Sequence, residues 1–197
     1  LAAAGWPRSL LARLTIAAEG PATCGPWHLP APAAPRCAGV MSEPMTDEEI
    51  IRYVVARAIW APSVHNTQPW RFTADGGPQV SLHADDSRRL AATDPDGREM
   101  MISCGAALFN IRLALRSLGY IPETHVLPDP ALPTLVAQVS WRERAVPDEF
   151  ERELAAHVLT RRTHRGAFDP GPLPPDTLAA LRTAATREGA TLRIVAD

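Results

Sequence analysis

The chain has 197 residues, 46% of them hydrophobic and 21% charged, with a formal net charge of −2. That balance suits one globular domain with a real core, is short for two, and offers no basic surface for nucleic acid. No run approaches the roughly 20 apolar residues of a membrane span, and all 20 basic residues are arginine, which excludes any mechanism needing a lysine amine.

Residues 1–40 are rich in Ala, Pro and Gly and show no sustained period, so they read as an unstructured or non-native extension with a native start at Met41 or Met45. Order is expected from Thr46. Thr46 and Glu49 form a capping box, Met45 and Ile50 a hydrophobic staple, and Asp47, Glu48 and Glu49 sit where a helix dipole favours negative charge. Ile50, Ile51, Val54, Val55, Ala58 and Ile59 recur at helical period, and Pro62 ends the helix. Strands follow at 70–73 and 79–83, joined through Asp75-Gly76-Gly77-Pro78 as a hairpin.

Asp94-Pro95 opens the next helix. From 98 to 118 it is apolar almost all round, so it belongs in a core or a subunit interface. Gly105 permits close helix approach, and Gly119 suits the position just past the end. Strands are expected at 121–127 and 134–141, then helices at 148–159 and 175–187, the latter ended by Gly189. The chain stops inside an apparent strand, 191–195, and reads as part of a longer protein.

Three cysteines do not make a disulfide framework. Cys24, His28 and Cys37 lack familiar zinc spacing and a fourth ligand, and Cys104 reads as a small buried hydrophobe, so no metal is expected. The polar side chains of a binding loop gather directly after the first helix: Ser63, His65, Asn66, Thr67 and Gln68, bracketed by Pro62 and Pro69. Such a wall suits a planar heterocycle, and it equally suits an ordered connection satisfying its own backbone. A Ser63–His65 nucleophilic pair has no nucleophile elbow beside it. The second cluster, Arg161-Arg162-Thr163-His164-Arg165, suits a phosphate, or a solvated basic helix end.

The run Ala61-Pro62-Ser63-Val64-His65-Asn66-Thr67-Gln68-Pro69-Trp70, with Arg71-Phe72, resembles the Ala-Pro-Ser-x-x-Asn-x-Gln-Pro-Trp signature of the nitroreductase superfamily. With His65 and Thr67 the string resembles its Acg-type branch. The likeness continues through residues 94–99, 103–108, Asn110, 127–130 and 161–165, covering about residues 46–197. His164 departs from the Asn expected there.

The resemblance implies an α+β nitroreductase-like fold, with a mostly antiparallel sheet, flanking helices and a buried central helix. It implies FMN as cofactor, with NADH or NADPH as transient electron donor and a nitro, quinone or similar small molecule as acceptor. No side chain need be catalytic, because the flavin carries the chemistry. Pro62, Ser63, Val64, His65, Asn66 and Gln68 would line the ring, while Arg161, Arg162, Thr163 and Arg165 would hold the phosphate or ribityl chain. The branch resembles two nitroreductase subunits fused in one chain. Residues 41–145 then form a first repeat and 146–197 the truncated start of a second, and the site needs that second repeat or a partner chain. A cytoplasmic location, without nucleic-acid or membrane partners, goes with this reading. The alternative in another class is a protein that binds or sequesters FMN without turnover, or an inactive part of such a protein.

Overall fold

The computed structural model describes residues 44–168 and 171–195. The N-terminal extension, with Cys24, His28, Cys37 and Met41, lies outside the described residues. Two compact units divide between Arg162 and Thr163.

In the first unit, helix α1 spans Asp47–Ala58. Its capping box is present: the Glu49 amide donates to Thr46 Oγ1 at 3.3 Å, and the Thr46 amide donates to Glu49 Oε2 at 2.8 Å. Those bonds satisfy donors that the first helical turn cannot pair internally. Ile50, Ile51, Val54, Val55 and Ala58 face the core. Strands β1 (Trp70–Thr73) and β2 (Gln79–Ala84) form the expected antiparallel hairpin, with Trp70 opposite Ala84. Its turn requires the left-handed backbone of Gly76 and Gly77, at φ +82° and +81°. A 3-10 turn, Asp86–Arg88, follows.

Helix α2 covers Arg98–Ser117, starting later than Asp94-Pro95 suggests. Asp94 is nevertheless what caps it. Its carboxylate accepts from the Glu99 amide at 3.1 Å and the Met100 amide at 2.8 Å, reaching over Gly97, which sits at φ +70°. Burial opposes ionisation of Asp94, but the amides of Glu99, Met100 and Arg98, with Arg89 nearby, outweigh it and lower its pKa. The α2 face carrying Met100, Cys104, Ala107, Ile111, Ala114 and Leu115 is buried against α1 and the sheet. The opposite side is less covered: Ile102 is 57% exposed, and a Cβ at Gly105 would meet nothing within 4 Å. The close approach expected at Gly105 therefore has no partner among the described residues.

Strands β3 (Tyr120–Val126) and β4 (Leu135–Arg144) complete an antiparallel sheet of order β1-β2-β4-β3. Val80, Leu82, Val139 and Trp141 bury its inner face under the helices. Helix α3 (Glu149–His157) carries a second capping box, Asp148 with Glu151, and packs on α2. Its anchor is a two-pronged ion pair: Arg116 Nε and Nη2 donate to Glu151 Oε1 and Oε2, each at 2.8 Å. The expected α+β class, antiparallel sheet and buried central helix are all present.

The second unit contains α4 (Pro175–Arg187), with Pro175 at the position that tolerates proline. Gly189, at φ +70°, ends it through Gly189 N–H to Thr186 O and Ala190 N–H to Ala185 O. Residues 191–195 are irregular, not the expected strand. Their alternating apolar side chains signal a strand only where a neighbour supplies ladder hydrogen bonds. Among the described residues, no helix is long and apolar enough to cross a membrane.

Candidate functional site

The loop after α1 is held in an uncommon backbone conformation. It begins with Ala61, whose amide donates to Ala58 O at 3.0 Å, and narrows into a 3-10 turn, Val64–Asn66. His65, Asn66 and Gln68 lie at φ +47°, +58° and +49°, a region that side-chain-bearing residues seldom occupy. Asn tolerates it better than His or Gln. Sustained backbone cost of this kind persists where surroundings enforce it, most often at functional sites.

Local bonds close the loop on itself. The Gln68 amide donates to Ser63 Oγ at 3.0 Å, Thr67 Oγ1 donates to Val64 O at 2.9 Å, and the Trp70 amide donates to Gln68 O at 2.9 Å. More distant groups then tie it to the scaffold. The Val64 amide donates to Ser103 Oγ at 3.2 Å, and Arg88 Nη1 donates to Thr67 O at 3.1 Å and to Gln68 O at 3.4 Å. Pro69 O accepts from the Asp85 amide at 3.0 Å and the Cys104 thiol at 3.2 Å. Burial pushes that thiol up to about 12, so Cys104 is a structural donor and not a nucleophile.

Of the residues picked out in the sequence, Pro62, His65 and Asn66 are exposed, and Ser63, Val64 and Gln68 are half-buried. The loop therefore offers hydrogen-bonding side chains on a fixed backbone. At its exit Trp70 is buried, and its indole N–H has no hydrogen-bond partner among the described residues.

Arg161 and Arg162 reach the entrance of the same loop. Arg161 Nη2 donates to Trp60 O at 3.1 Å, and the Arg162 guanidinium lies 5.4 Å from the centre of the Trp60 ring. Arg162 also donates to Leu159 O at 2.9 Å and Arg161 O at 2.8 Å. Trp60 directly precedes Ala61, so these contacts carry two of the four predicted phosphate-binding residues to the loop's N-terminal end. Thr163 and Arg165 belong to the second unit and are exposed there, as is His164, whose ring lies 4.9 Å from that of Phe168.

Arg88 and Asp85 escaped the sequence reading, and Ser103 entered it only within the matched stretch 103–108, with no role. Arg88 and Asp85 lie in a polar stretch without periodicity. Ser103 carried a faint signal, a hydroxyl early in an apolar helical run.

No family model matches the chain. The chain is 38% identical over 155 residues to a Mycobacterium tuberculosis protein named "Putative NAD(P)H nitroreductase", with 79% of this chain and 44% of that protein aligned. A second M. tuberculosis protein, "Putative NAD(P)H nitroreductase acg", is 34% identical over 160 residues, with 80% and 47% aligned. This chain thus spans about half the length of the relatives it matches. A Desulfovibrio desulfuricans structure, described as a putative nitroreductase in complex with FMN, overlaps at TM-score 0.42 with 19% identity, across 68% of this chain and 90% of that one. By its sequence, this chain is similar over about four fifths of its length to M. tuberculosis proteins named putative NAD(P)H nitroreductases, the acg protein among them.

Proposed function

We propose that this chain supplies part of an FMN-dependent oxidoreductase that takes hydride from NADH or NADPH and delivers it to a nitro, quinone or similar small-molecule acceptor. The observation that carries the proposal is the loop of residues 62–68, strained and tied from outside, with Arg161 and Arg162 drawn to the residue that precedes it. The names of the matched relatives, NAD(P)H nitroreductases, support the same reading.

The residues present suit FMN. A flavin ring needs apolar contact on its face and fixed donors and acceptors along its polar edge. Pro62 and Val64 offer the first, and Ser63, His65, Asn66 and Gln68 the second. The unpartnered indole N–H of Trp70 leaves one further donor near this loop. Planar, permanently charged donors hold a phosphate well, and Arg161, Arg162 and Arg165 are such donors, with the Thr163 hydroxyl beside them in sequence. Bound FMN supplies the hydride acceptance and release that no side chain here provides. The chain's own work is to bind, orient and shield: the 62–68 loop fixes the plane of the ring, and the arginines neutralise the phosphate.

In this reading residues 41–145 form the first repeat and 146–197 open a second, with α3 folding back on α2. The uncovered side of α2, with Ile102 and Gly105, is where the remaining repeat or a partner chain docks to complete the site. We place the whole protein in the cytoplasm, with no nucleic-acid or membrane partner.

The test is a flavin spectrum of the purified full-length protein, followed by NADH or NADPH without air. Loss of the flavin absorbance on adding either nucleotide is the expected result. A yellow protein inert to both would show that it binds flavin without turnover. A protein that neither carries FMN nor takes it up would overturn the flavin reading altogether.

A further inference from the structure

Arg88 and Ser103 lie outside the loop they hold. His65, Asn66 and Gln68 occupy the left-handed region, which a free loop would leave, since extended or right-handed backbone is more favourable for these side chains. Bonds within the loop link its residues to one another but do not fix them against the rest of the protein. Contacts from two neighbouring segments do that.

From the 86–88 turn, Arg88 Nη1 donates to both Thr67 O and Gln68 O, the carbonyls of the peptides on either side of Gln68. Asp85 Oδ2 lies 3.7 Å from Arg88 Nε, so an acidic partner orients the guanidinium. From α2, Ser103 Oγ gives its own proton to Glu99 O at 2.8 Å and accepts the Val64 amide at 3.2 Å. With its proton committed to the helix, the hydroxyl presents a lone pair to the loop. Val64 and Gln68, the last left-handed residue of the loop, are thus tied to different elements, with the exposed His65 and Asn66 between them.

We infer that Arg88 and Ser103 are positioning residues, which hold the 63–68 loop in its left-handed conformation and so aim its side chains at the ligand. The inference takes the identity of that ligand, FMN, from the flavin reading above. Without either tie, the left-handed residues relax and the side chains that would meet the ring are re-aimed.

The experiment uses the full-length protein, with FMN titrated by fluorescence quenching and amide exchange followed through residues 61–70. Arg88→Ala should weaken FMN binding about tenfold or more, the effect of losing a charge-assisted hydrogen bond. It should also shift the bound-flavin visible spectrum and speed exchange at 64–68, leaving exchange in α1 and the sheet unchanged. Arg88→Lys should recover part of the affinity, because a point charge replaces the guanidinium fork. Ser103→Ala should act in the same direction to a smaller extent, and Ser103→Thr, which keeps the hydroxyl, should restore binding.

Wild-type affinity, spectrum and loop exchange in Arg88→Ala and Ser103→Ala would overturn the inference. So would affinity lost in step with global stability and equally in Arg88→Ala and Arg88→Lys. Wild-type protein that takes up no FMN overturns the flavin reading instead, before any variant is made. The exchange data then decide the clamp alone: faster exchange confined to 64–68 in Arg88→Ala supports it, and unchanged exchange overturns it.

Discussion

Arg161 donates to the main-chain carbonyl of Trp60 at 3.1 Å, although 101 residues separate them along the chain. The acceptor lies two residues past the end of α1, where the helix dipole favours a cation. One contact therefore sets a cation beside a helix C-terminus and brings a guanidinium to the start of the 61–70 loop.

Replacing Arg161 should separate binding from stability. The side chain is exposed, and exposed contacts of this kind contribute under about 1 kcal/mol to folding. Arg161→Ala should leave the unfolding midpoint nearly unchanged and weaken FMN binding by about tenfold, as expected for one charged hydrogen bond to a ligand. Fluorescence titration of FMN checks this, and undiminished affinity would remove Arg161 from the proposed site.

The Arg116–Glu151 pair predicts a pH dependence. The hydrogen bonds from Arg116 are the main reason the Glu151 carboxyl lies below the ordinary carboxylate range; burial pushes the other way, and the Asp148 amide adds to the lowering. A lowered folded-state value means that the pair's contribution is fully present above the usual Glu value of 4.5 and fades as pH falls through the lowered one. Glu151→Gln should cost about 1–3 kcal/mol at neutral pH. It should also flatten part of the loss of stability in acid, measured by urea unfolding at a series of pH values.

Gly105 gives opposite expectations for folding and for assembly. A Cβ there meets nothing within 4 Å, and alanine in a helix interior is favoured over glycine by about 0.5–1 kcal/mol. Gly105→Ala should raise the melting temperature of the 197-residue chain. In the full-length protein, where we propose that this face is covered, Gly105→Leu should weaken FMN retention through the lost close approach. A Leu variant that holds FMN as tightly as wild type would count against docking at this face.

Cys104 should resist alkylation. With its thiol pushed up to about 12, only about one part in ten thousand is thiolate at pH 8, and the side chain is fully buried. Brief iodoacetamide treatment followed by peptide mapping should leave Cys104 unmodified in native protein and label it after unfolding. Rapid native labelling would mean that the thiol's contact with Pro69 opens readily.

Local patterns in the sequence determined most of the elements. The capping box at Thr46 and Glu49, the glycines of the hairpin turn, the apolar period of α1 and the stop at Gly189 all act within a few residues. Those interactions are visible in sequence order. The apolar surround of residues 98–118 likewise announced a buried helix, although it did not say which side would remain open at Ile102 and Gly105. Asp94-Pro95, by contrast, suggested too early a start for α2, because Asp94 caps the helix across an intervening left-handed glycine.

Only the tertiary structure decided what holds the 61–70 loop. Its motif was legible as a string, but its left-handed backbone depends on Arg88 and Ser103, and its entrance on Arg161. Each belongs to a different segment of the chain, and hydrogen bonds across such distances leave no periodic trace. The strand expected at 191–195 shows the same limit, since a β pattern becomes a strand only when another backbone supplies the ladder. Residue type thus set which groups were available for binding, and long-range contacts set which of them were tied to the loop.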